Sequence, residues 1–255
     1  MSTIATAPTG TIQFFTAPTP NGHKVSVLLE ELKATYGLQY TAKSLDFSKS
    51  EQKEPWFLKI NPNGRIPAIT DENRDNFNVF ESAAILLYLV QHYDPDFKFM
   101  FDPVNDANNY SEALQWIFFT HGGIGPMQGQ AAHFFRFAPE KIPYAIDRYI
   151  TEVKRLYSVL ESRLQSRDYL VGDGRGRYSI ADMNCFPWIR AHPWAGLEDS
   201  IMDDFPHVAA WLKRLEERPA VYEGLGVPVR RPKMSKEEMN ELAEKLRGMF
   251  SQPQK

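Results

Sequence analysis

Apolar positions in the first part of the chain fall in short runs separated by turn signals, whereas later they recur at helical spacing. Ile12–Phe15 reads as a short buried strand that runs into the turn-rich segment Ala17-Pro18-Thr19-Pro20-Asn21-Gly22. Val25, Leu28, Leu29 and Leu32 then fall at i, i+3, i+4 and i+7, which predicts a helix closed by Gly37. A second strand is expected near Gln39–Leu45, followed by a polar stretch carrying Gln52 and Lys53. The turn Asn61-Pro62-Asn63-Gly64 leads into Arg65–Thr70, and another turn around Asn73–Asn76 leads to Val79 and Phe80, so this pair reads as a hairpin. Ser82 is placed to cap a helix running to about Tyr93. Strand, helix, strand, hairpin and helix in that order make a small α/β layer structure.

Asp94-Pro95-Asp96 breaks the last of these helices, and strand signals disappear from about Asn105 onward. Ile146, Ile150, Val153, Tyr157, Leu160 and Leu164 alternate gaps of four and three. Ser179-Ile180-Ala181-Asp182 has the spacing of a capping box, with Tyr178 and Met183 placed as a hydrophobic staple. Val208, Trp211, Leu212 and Leu215 mark a helix that stops before Pro219, and Ser235–Phe250 is a last candidate with Ser235 and Glu238 at capping-box spacing. The expected division is a loose tail over 1–10, an α/β domain over 11–94 and a linker over 95–104. An all-helical domain over 105–226 and a C-terminal extension over 227–255 complete it.

Composition acts here by exclusion. The 255 residues are 43% hydrophobic and 24% charged, ordinary for a globular chain able to bury a core. A net charge of -3 gives no electrostatic reason to expect a nucleic-acid or anionic-membrane partner. The longest apolar run, Ala83–Val90, is too short to span a bilayer. No basic-then-apolar leader opens the chain, so a cytoplasmic location is expected and the sequon Asn109-Tyr110-Ser111 should stay unmodified. The single cysteine, Cys185, allows no internal disulfide and sits in an apolar helix as an inert buried thiol. The six histidines show no metal-ligand spacing, so no metal is expected. Gly122, Gly123 and Gly125 follow no strand, fail the dinucleotide pattern, and read as a helix break or a close-packing site.

Three local features carry chemistry. Thr19, Asn21 and Gly22 lie where a strand meets a helix N-terminus, whose free N–H groups and dipole favour a thiolate or carboxylate. Every strand–helix turn has such a spot, so this feature alone selects no ligand. Ile66-Pro67 precedes a strand; a trans bond would be merely structural, whereas a cis bond would turn the Ile66 backbone outward to pair with a peptide. Glu81-Ser82 opens another helix, where Ser82 could be a plain cap, or the two could clamp an amino acid by its ammonium and carboxylate. Together the three fit glutathione, which has an α-amino-acid end, a central thiol and a terminal carboxylate.

In this order the features resemble the cytosolic glutathione transferase family. The resemblance is carried by Ala17–Lys24, Asn61–Ala68, Glu81–Leu89, Gly125–Phe134 and Ile142–Tyr149, and covers about residues 11–226. Its nearest groups are the asparagine-type Nu class of bacteria and the fungal group resembling the yeast nitrogen-regulator (prion) protein. It implies an α/β thioredoxin-like N-terminal domain plus an all-α C-terminal domain, and a homodimer. It also implies a catalytic pair at Thr19 and Asn21, glutathione contacts at Ile66, Pro67, Glu81 and Ser82, and Gln52 and Lys53 near the glycyl carboxylate. Arg148 would reach the glutathione of the partner subunit. The chain has no serine, tyrosine or cysteine beside the expected thiol, as in the asparagine-type group.

The activity so implied is transfer of the glutathione thiolate to a small hydrophobic electrophile, with reduction of small disulfides as a second activity. Since no cysteine stands at the first helix, that reduction would use two glutathiones. An electrophile site is expected between the domains, with Trp116, Phe118, Phe119, His121, Met127, Phe134 and Phe135 as candidates that would equally suit a core. The rival reading is a non-catalytic regulator or ligand carrier on the same scaffold. The long Asn-rich N-terminal extension of the yeast regulator does not precede the first strand here, which favours an enzyme.

Overall fold

The computed structural model describes residues 10–232 and 234–250, so the expected tail lies almost wholly outside the described residues. The α/β layer is built from β1 (Ile12–Thr16), α1 (Pro20–Tyr36), β2 (Tyr40–Ser44), the short α2 (Pro55–Leu58), β3 (Ala68–Asp71), β4 (Phe77–Phe80) and α3 (Ser82–Tyr93). The sheet order is β2-β1-β3-β4. β2 runs parallel to β1, while β3 is antiparallel to both β1 and β4. This is the mixed sheet of a thioredoxin-like domain. Strand alternation divides the core: Ile12 and Phe14 join the large cluster with α1 and α3, and Phe15 faces the small cluster of Leu45, Phe57 and Ala68.

The helical unit comprises α4 (Ala107–Phe119), α5 (Gly125–Ala132), α6 (Pro143–Leu164), α7 (Ile180–Arg190), α8 (Pro206–Glu216), α9 (Pro219–Gly224) and α10 (Lys236–Phe250). Between α4 and α5 the chain takes a π-helical turn over Thr120–Ile124. A Cβ on Gly125 would lie 3.1 Å from the Trp188 indole nitrogen and one on Gly123 3.1 Å from Leu156 Cδ2, so these two serve close packing, whereas Gly122 faces open space. The capping box at Ser179 forms as expected, with Tyr178 and Met183 buried beside it. Ser235 and Glu238 likewise cap α10 reciprocally.

One expectation needs correction, and two further segments pack in ways their patterns left open. Ser82 is the first residue of α3 and makes no cap; Glu81 occupies the cap position with φ 69°. On α6 the buried stripe is Val153, Leu156, Tyr157, Leu160 and Leu164, while Ile146 and Ile150 are only half-buried because that end projects beyond the core. Within 95–104, Phe99, Met100 and Phe101 belong to the large core cluster. That segment is held by Asp94, whose carboxylate accepts from Lys98 N and Phe99 N.

The two layers share this core. α1 packs on α3 from its own layer and on α7 and α9 from the helical unit. Ser26 Oγ donates to Gly224 O at 2.7 Å, and Arg218 pairs with Glu31 at 2.8 Å. α1 is consequently buried over most of its circumference, including Lys24, Ser26 and Glu31, where the sequence pattern predicted one apolar face.

Candidate functional site: the cleft at the mouth of the first helix

A cleft opens where the N-terminus of α1 meets the helical unit. Asn21 and Lys24 of α1 line it, with Asn61, Asn63, Arg65, Ile66 and Pro67 from the loop before β3 and Glu81 and Ser82 from the start of α3. The helical unit closes it with Thr120, His121, Gly125, Pro126 and Trp188. The three features picked from the sequence at 19–22, 66–67 and 81–82, far apart in the chain, thus converge on one place.

Each is positioned by local chemistry. Thr19 adopts extended backbone angles, and its Oγ1 accepts from Gly22 N at 3.2 Å, capping α1 while Pro20 occupies the first turn. Gly22 is required for that closeness, because a Cβ there would lie 2.4 Å from Ala17 O and from Thr16 Oγ1. Thr19 itself is not among the lining residues. The Ile66–Pro67 bond is cis. The loop before it is tied by Asn61, whose Oδ1 accepts from Asn63 N and whose Nδ2 donates to Arg65 O. Glu81 holds a positive φ uncommon for a side-chain-bearing residue, a conformation that costs about 1–3 kcal/mol and is found at binding sites more often than elsewhere.

Asn21 is oriented by a residue that sequence reading passed over. The Trp188 indole N–H donates to Asn21 Oδ1 at 3.0 Å. Indole can only donate, so the amide oxygen must face Trp188 and the amide NH2 is left pointing elsewhere as a donor. Nothing in the sequence links α7 to α1; only the packing of the two does. The sequence likewise carries no local signal for Lys24, and marks His121 only as a candidate for the electrophile site. Burial pulls the Lys24 ammonium down to about 7 and, with Lys24 nearby, the His121 imidazole down to about 4. His121 Nδ1 is buried without a partner. His23, next to Lys24 on α1, is also pulled down to about 4 by burial.

The remaining expected residues lie off the lining. Gln52 and Lys53 flank the 61–65 loop: Lys53 Nζ donates to Asn63 O, and Gln52 Oε1 is buried without a partner. Arg148 is exposed on α6 and is not among the lining residues. Of the seven electrophile-site candidates only His121 lines the cleft. Phe118 is 63% exposed, Trp116 packs edge-on against Phe119, and Phe134 stacks on Tyr149. Met127 and Phe135 are half-buried outside the lining. Helical spacing groups them in and around α4 and α5 without saying which face meets the other layer. Cys185 is fully buried beneath the cleft and its thiol is pushed up to about 12 by burial, so it supplies no nucleophile. Among the described residues no cluster of three or more His, Cys, Asp or Glu could hold a metal, and no helix is long and apolar enough to cross a membrane.

The family model described as "Glutathione S-transferase, N-terminal domain" matches residues 10–91, and "Glutathione S-transferase, C-terminal domain" matches residues 125–219. The chain is 40% identical over 218 residues to the Disulfide-bond oxidoreductase YfcG of Escherichia coli, covering 84% of this chain and 94% of that protein. It is 36% identical over 241 residues to the Transcriptional regulator URE2 of Saccharomyces cerevisiae, of which it covers 65%. Among solved structures, the glutathione transferase URE2P6 from Phanerochaete chrysosporium, in complex with oxidized glutathione, superposes with a TM-score of 0.78 at 43% identity. That match covers 85% of this chain and 95% of the other.

Proposed function

We propose, since this chain belongs to the glutathione S-transferase family, that it binds glutathione in the α1 cleft and uses the bound thiolate to attack a small disulfide or electrophile. The sulfur would lie at Asn21 and Thr19, the peptide backbone against Ile66 and Pro67, and the γ-glutamyl end on Glu81 and Ser82. Gln52 and Lys53 would take the glycyl carboxylate. In a homodimer, Arg148 would approach the glutathione of a second copy. The relatives bearing a disulfide-bond oxidoreductase name and the neighbour in complex with oxidized glutathione support the disulfide branch.

The observation that carries the reading is the orientation of Asn21. Its amide NH2, turned out by Trp188 beside the first free N–H groups of α1, is a donor prepared for an anion. A free thiol has a pKa of about 8.5, so lowering it by roughly two units takes about 2.7 kcal/mol. A helix N-terminus supplies about 0.3–2 kcal/mol and one hydrogen bond to the charged sulfur about 1.5–3 kcal/mol. Together they span about 1.8–5 kcal/mol, a range that includes the amount needed, so the reading requires no side chain to remove the proton.

In the disulfide reaction the thiolate attacks one sulfur, forming a mixed disulfide and expelling the other as a thiolate. A second glutathione thiolate then attacks the glutathionyl sulfur of that mixed disulfide. The products are oxidized glutathione and two thiols, and no enzyme sulfur takes part. In the transfer reaction the same thiolate forms a thioether at an electrophilic carbon. Steady-state assays with glutathione and a small dialkyl disulfide, run beside an aryl halide, test this. Turnover of either substrate is expected; tight glutathione binding with no turnover of both would favour the carrier reading.

A further inference from the structure

The floor of the cleft holds a cation without a counter-charge. Lys24 is 1% exposed, yet it lines the cleft. Its one hydrogen bond runs from Nζ to Ser82 Oγ at 3.4 Å, and no carboxylate lies within ion-pair distance among the described residues. The titratable groups facing it are Glu81 ahead of α3, Cys185 on α7 and His121 on the π-helical turn. Glu81 acts only at longer range, and both Cys185 and His121 are held uncharged at neutral pH. Burying an ammonium without a paired anion is costly, and two of its three N–H groups find no protein acceptor.

Ser82 is buried beside it, and its hydroxyl donates to no protein group among the described residues. A hydroxyl that accepts from an ammonium still has one proton to place, and a buried O–H needs an acceptor. Ser82 also opens α3, a 12-residue helix whose first N–H groups have no intrahelical acceptor. The unfilled groups of Lys24, of Ser82 and of the first turn of α3 are therefore donors.

We propose that Lys24 is a positioning residue of the cleft: by donating to Ser82 Oγ it commits the Ser82 O–H, together with its own remaining N–H groups, to one carboxylate of the ligand. This rests on the glutathione reading above and identifies the carboxylate as that of the γ-glutamyl end. The ligand then supplies the missing counter-charge, and binding holds the proton on Lys24.

The test uses S-methylglutathione, which has no ionisable thiol, and measures its affinity by calorimetry across neutral pH for the wild type, Lys24→Met, Ser82→Ala and the double variant. Wild-type affinity should fall as pH rises past about 7, with proton uptake on binding. Lys24→Met, which keeps the side-chain volume, should bind roughly tenfold or more weakly and lose both the pH dependence and the proton uptake. The double variant should bind about as weakly as the weaker single variant. A Lys24→Met affinity equal to the wild type, a pH-independent wild type, or fully multiplicative effects of the two substitutions would each overturn the role of Lys24. A wild type that binds no S-methylglutathione at all would overturn the glutathione reading beneath it.

Discussion

Asn21 and Lys24 sit one helical turn apart, and both are governed by what the helical unit presents to them. If the amide of Asn21 steadies the thiolate, Asn21→Ala should raise the pKa of bound glutathione by more than about one unit, read by ultraviolet titration of the thiolate, without loss of fold. Trp188→Phe should raise it too, by a smaller amount, because the amide stays but its orientation is released. An unchanged pKa in both would remove this pair from the chemistry. Lys24 makes a prediction of opposite character in the ligand-free protein. Burial lowers its pKa from 10.5 to about 7. Between these values the unfolded chain holds a proton that the folded one lacks, so its contribution to stability rises with pH. Lys24→Met should therefore raise the melting temperature most below pH 7, with a gain that shrinks toward pH 10.5. Thermal melts across that range read it directly. Thr19, Asn21, Ile66 and Ser82 were legible because helix starts and X-Pro steps are local signals. Lys24 and Trp188 were not, since neither is marked by its neighbours in the chain.

At the scale of elements, the capping chemistry separates what is local from what is not. The Ser179–Asp182 box formed as its spacing required, but Asp182 does more than cap. Its Oδ1 also accepts from Leu170 N at 3.0 Å and Trp211 Nε1 at 2.9 Å, while Oδ2 accepts from Ser179 N at 3.1 Å. Only donors surround both oxygens. Asp182→Asn should thus cost about 1–3 kcal/mol, since either orientation of the amide sets NH2 against another donor. Chemical denaturation measures the loss, and a neutral result would mean the buried carboxyl is already protonated. α3 shows the contrary case. The sequence marked a helix start at Ser82, but Glu81 takes the cap position and Ser82 turns to Lys24, a partner 58 positions away. A serine at a helix start is ambiguous between those uses until a distant donor is placed beside it.

Over the whole molecule, α1 is the part that both layers build upon. Gly224 marks how closely they meet: a Cβ there would come within 2.6 Å of Val27 Cα. Gly224→Ala should force α9 and α1 apart, lowering stability by about 1–3 kcal/mol and weakening glutathione affinity through the shift of α1, whose Asn21 and Lys24 line the cleft. A melting curve and a binding isotherm together check this, and unaltered values for both would mean the contact is easily relaxed. The sequence alone determined the α/β-then-helical order, the strand and helix starts and the three chemical features at 19–22, 66–67 and 81–82, because these depend on periodicity, capping and proline, each a property of adjacent residues. Tertiary structure alone decided that α1 is buried nearly all round, that Trp188 turns Asn21, that Lys24 reaches Ser82 and that of the electrophile-site candidates only His121 lines the cleft. Those outcomes depend on which helix face meets which neighbour across long stretches of chain, and a helical period leaves that rotation open until the layers pack.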